Sequence, residues 1–219
     1  MTRRTTTVLI TAIVALIAFA AAVLLYQRHT RQQAAEQAGA QQSVMVRAHS
    51  PVLGPANAPV TIVEFFDPAC EACRAFHPYV KQILAAHPRD VRLVVRYTPF
   101  HQQASVVGVR ILEAARAQGR FEPVLQALMD GQPVWANHGT PDPDRAWEFA
   151  RAAGLDLERA RAHVATGAAD ALLQKDMADV QAVGVRATPT FFVNGAPLRE
   201  VDPRVLAEQV NAAVAGVRR

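Results

Sequence analysis

Two cysteines three residues apart, where a strand pattern gives way to a helical one, leave this chain few ways to fold around them. Cys70 and Cys73 are the only cysteines among its 219 residues, and they follow directly on Pro59 to Phe66, PVTIVEFF. That β-branched and aromatic run reads as a buried strand. Past Cys70 the period changes: Phe76, Val80, Ile83 and Leu84 make one apolar face of a helix predicted over 70–86. Residues three apart on a helix share a face, so the two sulfurs can come within bonding distance. The helix start also directs unpaired N–H groups and a partial positive charge at the first cysteine. Such a position lowers a thiol pKa from about 8.5 into a range of about 3.5 to 7.5. Cys70 is therefore expected to be the exposed nucleophile, and Cys73, one turn inside, the resolving thiol.

Two other uses of the pair compete with redox chemistry. As a plain staple the bond would close a loop of only four residues and remove little entropy from the unfolded chain. As metal ligands, Cys70 and Cys73 would need His77, yet in a continuous helix Cys70 and His77 lie about 10 Å apart along the axis. No second C-x-x-C or close histidine pair completes a tetrahedral set, and no metal site is expected, although soft thiolates can hold Cu(I).

The rest of the sequence supplies an order of elements. Ser43 to Ala48 alternates like a short edge strand, and Pro51, Gly54, Pro55 and Pro59 mark a turn-rich entry. Val91 to Tyr97, VRLVVRY, reads as a second strand. From His101 to Ala182 the apolar spacing is helical throughout, with Gly119, Gly131, Gly154, Gly167 and Gly184 at predicted helix ends. A strand over Thr190 to Val193, an Asn194-Gly195 turn, a return strand to Leu198 and a helix over Asp202 to Ala215 close the pattern. The order βαβ, helices, ββα predicts an α/β layer architecture whose helical insertion spans about 101–168. Trp135 and Trp147 are expected in the core of that insertion, and His49, His87, His101, His138 and His163 have no spacing that suggests a site.

Ahead of this domain, Val8 to Tyr26 is a run of nineteen uncharged residues that follows Arg3 and Arg4. Its length nearly spans a hydrocarbon core of about 30 Å. Ala18-Phe19-Ala20 offers a small-x-small cleavage site, but the apolar run continues past it to Tyr26. An uncleaved signal anchor over 8–26 is the expectation, with residues 1–7 cytoplasmic and the bulk of the chain outside. Residues 27–42, rich in Gln and Ala, read as a tether, which leaves 43–219 as the globular domain. The formal net charge is +4, but the 23 basic residues are scattered along the chain, so no nucleic-acid partner is expected.

The strand, the C-x-x-C, the helix and Thr188-Pro189-Thr190 leading into Phe191-Phe192-Val193-Asn194-Gly195 together resemble the thioredoxin superfamily. The inserted helices, and the phrase Val63-Glu64-Phe65-Phe66-Asp67-Pro68-Ala69-Cys70, are similar to its DsbA-like branch of exported, membrane-anchored bacterial thiol-disulfide oxidoreductases. The resemblance extends from about residue 44 to 217 and implies a thioredoxin fold with an all-helical insertion, preceded by a transmembrane helix. It implies that Cys70 and Cys73 form a redox-active disulfide and that Pro189 is a cis-proline beside it. It also implies that Thr188 offers backbone groups to an extended substrate, and that Glu64 is a buried acid able to take the proton from Cys73. Pro78 matches a structural helix proline of the superfamily. Cysteine-containing exported proteins would be the substrates, and a membrane redox partner, an oxidase or a reductant transporter, would recycle the pair without an organic cofactor. The domain would face the periplasm from the bacterial inner membrane. A disulfide isomerase or reductase kept in the dithiol form, and a copper-handling or redox-sensing protein, are the alternatives. One departure stands out: Glu71-Ala72 separates the cysteines where strongly oxidising relatives carry Pro-His. Glu71 is expected to raise the Cys70 pKa and make the disulfide less oxidising.

Overall fold

The computed structural model describes residues 44–137 and 139–218, together with 16, 19, 20 and 22–30. The chain divides into two units, Met1–Ser43 and Val44–Arg219. In the first, the described residues are helical. No helix among the described residues is long and apolar enough to cross a membrane. Most of the 8–26 span and nearly all of the 27–42 tether lie outside the described residues.

The second unit is built on one mixed sheet. Its strands are β1 (Val52–Leu53), β2 (Val60–Phe66), β3 (Val91–Tyr97), β4 (Thr190–Val193) and β5 (Ala196–Pro197). They lie in the order β1-β3-β2-β4-β5, with β2 and β3 parallel and the other pairs antiparallel. Helix α1 (Glu71–Ala86) crosses from β2 to β3. Helices α2 (Gln102–Ala117), α3 (Phe121–Trp135), α4 (Ala146–Ala152), α5 (Leu157–Ala165) and α6 (Ala168–Val183) stand between β3 and β4, and α7 (Pro203–Val217) follows β5.

Period-two alternation in the central strands sorts side chains onto two faces. Ile62 and Phe66 of β2 and Leu93, Val95 and Tyr97 of β3 join the core with α1, the inserted helices and α7. Val63, Phe65 and Val94 pack instead with Phe192 and with Met177 and Val180 of α6. Glu64 therefore shares the face of Ile62 and Phe66, the one α1 covers, while Arg96 falls on the face of α6.

On that second face Arg96 is fully buried, and its guanidinium donates to Asp176 at 2.8 Å, to Asp179 at 2.6 Å and to the Val44 carbonyl. Arg47 reaches Asp179 at 2.6 Å and His49 reaches Asp176 at 2.7 Å. This network ties residues 44–49 to α6. It also accounts for one correction: Val44 and Met45 are helical, Met45 is buried, and the edge strand forms later, at β1, paired with Val94 and Leu93.

The helical region is not continuous. It breaks after Ala117, Trp135, Ala152 and Ala165, with a 3-10 turn at Pro143–Arg145. Gly119, Gly154 and Gly167 stand near three of these ends and Gly184 at the end of α6, but Gly131 lies inside α3. Space rather than backbone freedom explains it, because a Cβ there would sit 2.6 Å from the Phe149 ring. The hairpin between β4 and β5 turns at Asn194 and Gly195, both at positive φ, as a tight two-residue connection requires.

Candidate active site

Cys70 is the residue that caps the start of α1, with extended backbone at φ −82 and ψ 123. The first N–H groups of a helix lack partners within it. Here the N–H groups of Ala72 and Cys73 turn to the Cys70 sulfur. From the far side of the sequence the Thr188 carbonyl oxygen stands 3.3 Å from Sγ, and the Thr188-Pro189 peptide is cis. The Cys70 thiol is drawn down to about 5, foremost by the hydrogen bond from the Cys73 thiol. Burial works against this, and the Thr188 side chain and the two helix N–H groups add to it.

Cys73 is fully buried and its thiol is pushed well above the ordinary range, first by burial, then by its bond to Cys70 and by Glu64. Both cysteines are free thiols in this structure. Glu64 is 5% exposed, and burial raises it to about 8, with the Cys70 charge adding to the effect. Three groups therefore titrate as a coupled set. At neutral pH a thiolate sits on Cys70, and protons are held on Cys73 and Glu64.

Two expectations change. Cys70 is 6% exposed and thus nearly enclosed, because Thr188 lies against its sulfur and Gln132 of α3 donates to the carbonyls of Pro68 at 2.8 Å and Cys70 at 2.9 Å. It remains the more accessible of the two, since Cys73 has no exposure. Glu71 is exposed and is not one of the leading influences on the Cys70 thiol. Water screens a surface carboxylate that a buried one would impose at full strength.

Sequence reasoning passed over the residues that hold the active-site loop. Asp67 is fully buried and accepts hydrogen bonds from the backbone N–H groups of Ala69, Phe100 and His101, from the His101 ring at 2.7 Å and from the Ser105 hydroxyl at 2.9 Å. The Asp67-Pro68 step just before the cysteines was the available signal, since Asp commonly bonds the backbone two residues on. Gln132 gave none, because its contact with Pro68 spans 64 residues. Trp135 is buried in the insertion, with its indole N–H donating to the Leu128 carbonyl. Among the described residues no group of three His, Cys, Asp or Glu is placed to hold a metal ion.

Comparison with known proteins gives a consistent picture. A family model described as thioredoxin matches residues 47–213. The Na(+)/H(+) antiporter NhaA of Herminiimonas arsenicoxydans is 32% identical over 168 residues, covering 76% of this chain and 26% of the antiporter. The chain thus spans about a quarter of the length of the curated relatives it matches first. A solved thioredoxin-like oxidoreductase from Silicibacter pomeroyi DSS-3 is 31% identical with a TM-score of 0.66, covering 78% of this chain and 94% of that one. Oxidised BdbD from Bacillus subtilis matches in fold with a TM-score of 0.68 at 24% identity, over 76% of this chain and 94% of its own.

Proposed function

The chain belongs to the thioredoxin family, and we propose that it is a protein thiol-disulfide oxidoreductase of the DsbA-like kind that works on cysteine-containing exported proteins through a mixed disulfide at Cys70. The observation that carries this reading is the division between the two thiols. One is an anionic sulfur at a helix start and the other a protonated, buried sulfur next to an acid.

In the oxidised protein a substrate thiolate attacks Cys70 Sγ and breaks the Cys70–Cys73 bond. Cys73 leaves and takes a proton from Glu64. A second substrate thiolate then attacks the substrate sulfur of the mixed disulfide, forming the substrate disulfide and expelling Cys70 as its stabilised thiolate. Two electrons pass from substrate to protein. In reverse, Cys70 is bound in a mixed disulfide and its charge no longer helps hold the proton on Glu64; the carboxyl ionises, accepts the proton of Cys73 as that thiol attacks Cys70, and the substrate leaves as a thiolate. Thr188 and Pro189 form the backbone edge against which an extended substrate is laid, a role supported by the Thr188 carbonyl lying 3.3 Å from the attacking sulfur.

A thiolate stabilised to about 5 favours the reduced protein and so makes its disulfide an oxidant. That value falls between about 3.5 and 7, the range from strongly oxidising to reducing C-x-x-C pairs, and a potential between those extremes follows. The apolar run 8–26 and the tether 27–42 support an anchored enzyme, its 43–219 domain on the outer side of a bacterial inner membrane. A membrane redox partner would then reoxidise the pair.

The direct test is a Cys73→Ser variant incubated with a reducible substrate protein. Its Cys70 can still attack a substrate disulfide, but nothing resolves the product. A mixed disulfide should accumulate and be visible by non-reducing electrophoresis and mass spectrometry. A variant that forms no such adduct, while the unaltered protein exchanges disulfides, would rule the mechanism out.

A further inference from the structure

Glu64 must return its proton to water, or collect one from it, in every cycle, yet it is 5% exposed in the middle of the sheet. Two cavities that share five lining residues lie between it and the surface. The inner one touches Glu64 and offers about 10 Å³ to the centre of a water molecule, close to the room a single water needs. The outer one offers about 200 Å³ by the same measure and reaches Glu122 and Gln126 on α3. Leu53, His77, Lys81, Leu84 and Leu125 line both. Of these only His77 and Lys81 can carry a proton, and His77 sits half-buried at the junction.

The ring of His77 is set for that use. Its Nε2 stands 3.2 Å from Gln126 Oε1. The Gln126 amide is oriented by its own N–H, which donates to Asp130 at 2.9 Å, so Oε1 is the atom that faces the ring. An amide oxygen only accepts, so Nε2 carries the hydrogen and Nδ1 is left as the basic nitrogen. Lys81 donates to the same oxygen at 2.6 Å.

We infer that His77 is the relay by which Glu64 exchanges its proton with solvent. The inference rests on Glu64 acting as proposed above, and His77 works through Glu64 rather than on the sulfurs. In the resolving direction Glu64 first passes its proton across the inner cavity to His77 Nδ1, the imidazolium sheds one to the open pocket, and the ionised Glu64 then takes the proton of Cys73. In the oxidising direction the same transfers run backwards. Burial, the foremost influence, holds the His77 pKa below its usual value, so the resting ring is neutral and the imidazolium, once formed, gives its proton up readily. The charged groups around it are Lys81 on its own helix, Glu122 and Asp130 from α3 and Glu64 from β2. The residues of β1 and β3 that line the cavities are apolar, and Gly54 follows β1.

The test is stopped-flow reaction of the reduced protein with a peptide disulfide, resolving mixed-disulfide formation from peptide release. For His77→Gln at neutral pH, formation should stay within about twofold of the unaltered protein and release should slow at least about tenfold. For His77→Ala, added imidazole should restore release, as it should not for Glu64→Gln. If His77→Gln releases peptide at the unaltered rate while Glu64→Gln is slow, the relay is wrong and the role of Glu64 stands. If Glu64→Gln is not slow, the reading of Glu64 fails and the relay with it. Equal slowing of formation and release in His77→Gln would make His77 a packing residue and overturn the inference.

Discussion

Replacing Cys70 with Ser lowers disulfide exchange by at least about 10⁴-fold, to the background set by free thiols in solution. The size of the effect follows from how unequal the two sulfurs are. Cys70 holds the charge, through the Cys73 thiol, the Thr188 side chain and the N–H groups at the start of α1. Cys73 has no exposure and a thiol pushed well above its ordinary range. It cannot substitute, because only the thiolate is nucleophilic and no substrate sulfur can reach it. The same variant should therefore also leave Cys73 unmodified by iodoacetamide under native conditions, as read by intact mass. Exchange at more than a few per cent of the original rate in Cys70→Ser would mean that the attacking sulfur has been misassigned.

Arg96→Ala should destabilise the Val44–Arg219 unit by about 3–5 kcal/mol, measured by urea unfolding at neutral pH. Arg96 is fully buried and bridges Asp176 and Asp179, at 2.8 and 2.6 Å, with its head 5.8 Å above the centre of the Phe65 ring. Removing it leaves Asp176, also without exposure, supported only by His49 and the Tyr97 N–H. The loss is that of an uncompensated buried charge rather than the modest worth of a surface pair. For a unit of this size it corresponds to a fall in Tm of roughly 10 °C. Since buried pairs are weakly screened, the loss should persist in high salt. A loss below about 1 kcal/mol, or one that disappears with salt, would show that the network is not what fastens residues 44–49 to α6.

The sequence was most readable where local pattern and chemistry coincide. The β-branched and aromatic composition of Val60–Phe66 marked a buried strand, the family resemblance implied a buried Glu64 on it, and the change of period at Cys70 located the helix start. Asn194-Gly195 marked the hairpin, and the family resemblance pointed to Thr188-Pro189 as the segment that meets Cys70 in space. What stayed hidden depends on partners far along the chain. Nothing near Arg96 announces that it is met by Asp176, 80 residues on, so a strand that reads as apolar conceals a charged network. Gly131 looks like a helix end until Phe149 is seen to occupy the place of its side chain. The enclosure of Cys70 and the exposure of Glu71 have a common cause. Exposure is set by Thr188 and Gln132 arriving from elsewhere, and one residue of separation says nothing about whether a carboxylate is desolvated.

The central claim is that Cys70 is a thiolate prepared by its surroundings before any substrate arrives. Its folded-state pKa is lowered, so the anion is fully present above about pH 6 and is lost as pH falls through about 5. Thiolate absorbance near 240 nm, followed through an acid titration of the reduced protein with Cys70→Ser as the blank, reads this directly. A single transition centred near 5, absent in the blank, is the expected result. A transition near 8 or 9, the range of an ordinary thiol, would contradict it.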